Sequence, residues 1–111
     1  PDSDGYLWIK PGLFHESFCQ DLSVEDALVM AVTQKAPIGS TFADTVTAPA
    51  WKAKPSWYQI SSADRMIHPE NQRMMAARMT PKRLITLESS HASLASHPAE
   101  ITALIDEAAR A

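Results

Sequence analysis

From Pro55 to its end the chain alternates strand, turn, helix, strand, loop and helix, an order that allows little besides a parallel sheet with helices packed on it. Pro55-Ser56-Trp57-Tyr58-Gln59-Ile60-Ser61 has the aromatic and β-branched content of a strand and runs into the turn residues Ser62-Ala63-Asp64. A helix is predicted from Pro69, a residue suited to the first helical position, through Met79, with Thr80-Pro81 ending it. Leu84-Ile85-Thr86-Leu87 makes the second strand and leads through Glu88-Ser89-Ser90 to His91. A last helix should open at Pro98 with Ile101, Leu104, Ile105 and Ala108 on one face. Parallel strands are normally buried on both faces, so this pair wants further strands beside it. Elsewhere only Tyr6-Leu7-Trp8-Ile9 offers a brief edge strand, so a partner segment is expected to be missing.

The first half of the chain is mostly helical. Leu13, Phe14, Phe18 and Cys19 fall at roughly helical spacing, ending near Gln20. Ser23 is placed to cap a second helix with Asp26 at its third position, and Ala27, Leu28, Ala31 and Val32 repeat along one face before Pro37-Ile38-Gly39 stops it. Ser40 to Pro55 reads as a long connection. Four methionines, Met66, Met74, Met75 and Met79, are expected to serve helix packing.

Composition narrows the function. With 111 residues, 45% hydrophobic and 21% charged, the chain is long enough for one small core and disorder is disfavoured. A net charge of -3 with scattered lysines and arginines leaves no footprint for a phosphate backbone, so nucleic acid is not an expected partner. Arg65, Arg73, Arg78, Lys82 and Arg83 read as a solvated face. Cys19, alone, excludes an internal disulfide and should pack as a small hydrophobe, which fits a reducing, cytoplasmic setting. No apolar run approaches bilayer length, so no membrane is expected, and any targeting segment would lie upstream of Pro1.

Asp64 and His91 each follow the carboxyl end of a predicted strand, the edge where ligands and catalytic groups gather in parallel sheets. If the strands are neighbours, a carboxylate accepting the imidazole N–H fixes its tautomer and stabilises its charged form. On position alone, the commoner reading is an aspartate in a turn and a polar surface histidine. The spacing of His68, His91, His97 and Asp64 matches no familiar zinc pattern, so no metal is expected. Ser90 and Ser93 are expected to shape the loop around His91.

The wording of two segments points further. Pro55 to Pro69, with Gln72 and Met75 following, resembles the acid-bearing segment of α/β-hydrolases in the esterase and methylesterase-like branch, and Ser89-Ser90-His91-Ala92-Ser93-Leu94-Ala95-Ser96-His97-Pro98 is similar to the histidine loop of that family. The resemblance is best over residues 51–111 and looser over 1–50, which look like the cap or lid inserted before the acid strand. It implies an α/β fold of which this chain supplies the cap and the C-terminal core, with Asp64 as triad acid and His91 as general base. It also implies an apolar pocket to which Trp8 and Phe14 could be presented by the cap, a small ester or acyl compound as substrate, and chemistry that needs no organic cofactor. The family's nucleophile sits in a G-x-S-x-G elbow, but the glycines here are Gly5, Gly12 and Gly39. Nucleophile and oxyanion donors are therefore expected from a second hydrolase segment. The alternative is an inactive remnant that acts as a homo-oligomerising or partner-binding module.

Overall fold

The computed structural model describes residues 1–111. In chain order its elements are α1 (Pro11–Phe18), α2 (Val24–Thr33), β1 (Trp57–Ser61), α3 (Pro69–Met79), β2 (Arg83–Leu87), α4 (Ser93–Ser96) and α5 (Pro98–Ala109). Strands β1 and β2 pair in parallel, in register from Trp57–Arg83 to Ser61–Leu87, with α3 as the crossover between them. Both strands thus deliver their carboxyl ends to the same edge.

Local chemistry explains the element ends. Ser23 accepts the Asp26 N–H at 3.0 Å and opens α2, while Pro11, Pro69 and Pro98 stand in the first turns of α1, α3 and α5, where a missing N–H costs nothing. Helix α3 ends in Thr80, a β-branched residue held in the left-handed region at φ 46°. The turn at Gly5 needs its glycine, at φ 85°.

One buried hydrophobic cluster ties the two halves of the chain together. Phe14, Cys19, Ala27, Ala31 and Ala92 form a buried core that joins α1 and α2 to the loop after β2. Ile60, Ala76 and Ile101 are also buried, one each from β1, α3 and α5. Cys19 is fully enclosed, as its reading as a small hydrophobe requires.

Several expectations need correction. Tyr6 to Ile9 is not a strand: Tyr6 and Ile38 form a single antiparallel bridge, and Pro37 has no N–H with which to lengthen a ladder. The Gln34 side chain instead occupies the place of a strand partner, accepting the Ile9 N–H at 3.1 Å and donating to the Ile9 carbonyl at 3.0 Å. The connection before β1 contains 3-10 turns at Gly39–Ala43 and Ala50–Lys52. The histidine loop contains the single turn α4, which was not foreseen.

The apolar faces are narrower than periodicity implied. On α2 only the small Ala27 and Ala31 are buried, while Leu28 and Val32 are 62% and 73% exposed. On α5 Ile101 is buried and Ile105 is exposed. Methionine packing fails for Met74 and Met75 of α3, which are exposed, while Met79 is partly buried and the buried stripe is Gln72 and Ala76. A buried glutamine in place of methionine is the first sign that this helix serves a polar site.

Candidate active site

Beyond the last residues of the strands the backbone keeps pairing. Ser62 N–H donates to the Leu87 carbonyl at 2.9 Å and Ala63 N–H to the Ser89 carbonyl at 3.1 Å, so the two loops leave the sheet together. Asp64 therefore emerges beside His91, and His91 Nδ1 stands 2.8 Å from Asp64 Oδ2. A carboxylate only accepts, so the proton of this bond sits on Nδ1 and Nε2 is the ring atom left with a lone pair. Nε2 has no partner within the chain.

Asp64 is 8% exposed, and its carboxylate is fully engaged. Oδ1 accepts the N–H groups of Met66 at 2.7 Å and Ile67 at 3.0 Å, while Oδ2 accepts from Gln72 Nε2 at 2.9 Å as well as from His91. Burial pushes its carboxyl up, but the Ile67 N–H, the His91 ring and the Met66 N–H outweigh burial, and the group titrates below its ordinary range. It is an anion built to hold an imidazole.

Gln72 is the support that sequence reading quoted but gave no role. Its Oε1 accepts the Ser61 N–H at 2.9 Å, and its Nε2 donates to Asp64 and also to the Ile67 carbonyl at 2.8 Å. Beneath the pair runs a chain of polar side chains that sequence reading missed. Ser93 Oγ donates to Gln59 Oε1, Gln59 Nε2 to Ser61 Oγ, and Ser89 Oγ also to Ser61 Oγ, all within 2.9–3.0 Å. The only sequence signal was the run of serines and glutamines where a core strand would carry aliphatics. Ser90 and Ser93 do shape the histidine loop, Ser90 Oγ by accepting the Ala92 N–H at 3.0 Å.

His91 borders a cleft of about 730 Å³ lined mainly by apolar side chains, among them Trp8, Phe14, Phe18, Met30 and Met66. Phe14 stacks at 5.0 Å on Phe18, whose ring meets His91 edge-on at 4.9 Å. Phe14 is almost wholly buried and belongs to the core as much as to the cleft. Trp8 lies half-exposed at the mouth, its Nε1 donating to Asp2 at 2.8 Å. Of the other three histidines, His15 donates to the Leu22 carbonyl and His68 and His97 stand at the N-termini of α3 and α5, and no group of three or more His, Cys, Asp or Glu side chains could hold a metal ion. No helix is long and apolar enough to cross a membrane.

A profile of the alpha/beta hydrolase family matches residues 1–104. The chain belongs to the alpha/beta hydrolase family. Among solved structures, the chain is similar to polyneuridine aldehyde esterase, with a TM-score of 0.74 at 16% identity over 89% of the chain. A histidine-to-alanine variant of that esterase gives a TM-score of 0.76 at 15% identity over 91% of the chain. The chain spans 41% and 42% of the length of these two structures. No curated protein matches it. Its serines near the pair are committed elsewhere, Ser89 to Ser61, Ser93 to Gln59 and Ser96 to His97, and none meets Nε2.

Proposed function

We propose that this chain is the part of an esterase-like serine hydrolase that supplies the acid and the general base, and that a nucleophilic serine and its oxyanion donors come from a second hydrolase segment. The observation that carries this reading is the bond between His91 Nδ1 and Asp64 Oδ2, which leaves Nε2 beside the apolar cleft. In the completed site the serine Oγ attacks an ester carbonyl and passes its proton to Nε2. His91 then gives that proton to the departing alcohol, and water releases the acyl group by the same two transfers. Asp64 holds the ring and stabilises its imidazolium without taking the proton. The cleft favours a small apolar acyl or alcohol group.

Hydrolysis of p-nitrophenyl acetate tests the reading when the chain is supplied with a hydrolase segment that carries a nucleophile elbow. Turnover should appear only in the mixture, and Asp64→Asn should lower it by roughly 10⁴-fold, because the amide stabilises the wrong tautomer. Restored turnover that survives His91→Ala sinks the assignment. A second reading, an interaction module without turnover, is favoured by the exposed Leu28, Val29, Val32 and Leu84. It predicts self-association and no activity in any mixture.

A further inference from the structure

The geometry points to the turn between α1 and α2 as a clamp that sets the Asp64–His91 bond, with Gln20 and Asp21 as positioning residues. Gln20 Nε2 donates at 2.6 Å to the carbonyl of Ala63, the residue before Asp64. Asp21 Oδ2 accepts at 2.8 Å the N–H of Ser90, the residue before His91. Two adjacent side chains thus grip the two loops at equivalent places, across sequence separations of 43 and 69 residues.

The turn is itself held firmly enough to act this way. Leu22 N–H closes it on the Cys19 carbonyl at 3.0 Å, His15 Nε2 donates to the Leu22 carbonyl at 2.9 Å, and Cys19 is enclosed in the core beside Ala92. From the helix before the turn, Phe18 presents its ring to His91. Only an amide N–H can meet the Ala63 carbonyl, so the orientation of Gln20 is dictated, and it is kept although Gln20 Oε1 is left buried without a partner. At Asp21 partial burial pushes the carboxyl up, but the hydroxyl and N–H of Ser90 and the hydroxyl of Ser96 pull it below its ordinary value, as expected of an anion engaged by the loop. Charge-assisted bonds of this kind are among the stronger ones available to a partly exposed side chain.

The catalytic meaning of the clamp rests on the function proposed above, but its existence does not, so the test reads the pair and not turnover. Nitrogen-15 shifts of the His91 ring report which nitrogen carries the proton. The chain as it stands should show the Nδ1-protonated form, Asp64→Asn should abolish it, and Asp21→Ala should give a mixture of both tautomers. Asp21→Asn keeps an acceptor in place and should restore the original form, a rescue that a general loss of stability would not produce. An unchanged tautomer in Asp21→Ala, or a mixture in Asp21→Asn, overturns the clamp. Should Asp21→Ala fail to fold, Gln20→Ala is read in its place: a mixture supports the clamp, and an unchanged ring overturns it.

Discussion

At the scale of single residues the site is a problem of keeping one anion where an imidazole can use it. Asp64 meets four donors, and Gln72 supplies one of them while also tying the acid to the end of β1. Replacing Gln72 by Ala would leave the buried Ser61 N–H without its acceptor, at a cost of about 1–3 kcal/mol. Chemical denaturation of the variant should show that loss, and the His91 tautomer should become mixed. Because the folded carboxyl of Asp64 titrates below its unfolded value, its contribution to stability is complete above the ordinary aspartate pKa of about 3.9 and fades as pH falls through the lowered value. Asp64→Asn should therefore remain less stable than the original chain at neutral pH, the gap closing in acid, as denaturant midpoints measured across that range would show. The pairing of Asp64 with His91 was legible in the sequence because each follows a strand and stands in a family-like segment. Gln20, Asp21, Gln59 and Ser61 were not, since their importance lies in partners tens of residues away, and a lone polar residue in a turn or strand is otherwise unremarked.

At the scale of elements, helix ends dominate what was readable. Ser23, Pro69 and Pro98 announce their helices through local rules that hold whatever the tertiary setting, and all three stand where those rules put them. Ser23→Ala should cost about 1 kcal/mol, read as a lower melting temperature with the circular dichroism spectrum unchanged. Thr80 is the opposite case. A β-branched residue at φ 46° is held against its preference, so Thr80→Gly should raise the melting temperature, by an amount equivalent to about 1 kcal/mol. The broad apolar faces expected for α2 and α5 were misjudged because periodicity records which side chains could face a neighbour and not whether one is present. Leu28, Val32 and Ile105 repeat correctly and face solvent.

At the scale of the whole molecule, the chain is more open than its mass warrants. Its accessible surface is 7789 Å², where a folded protein of 12.2 kDa exposes about 6,100 Å². Its radius of gyration is 15.5 Å, against about 13 Å for a compact domain of this length. A sheet of only two parallel strands, with Leu84 half-exposed on it, accounts for part of that excess. We expect the chain alone to bind a hydrophobic dye and to sediment heavier than a monomer, and expect both signals to fall when a complementary hydrolase segment is added. Fluorescence titration and analytical ultracentrifugation measure the two.

The backbone bonds from Ser62 and Ala63 to Leu87 and Ser89 bind the chemistry to the alignment of the strands. Sliding β1 past β2 by one residue would shift the acid by about 3.3 Å, more than the whole length of the bond it makes to the imidazole. The protonation pattern of a single ring is thus a gauge of whether the sheet has zipped up correctly, one that could follow refolding of the chain without any substrate in the tube.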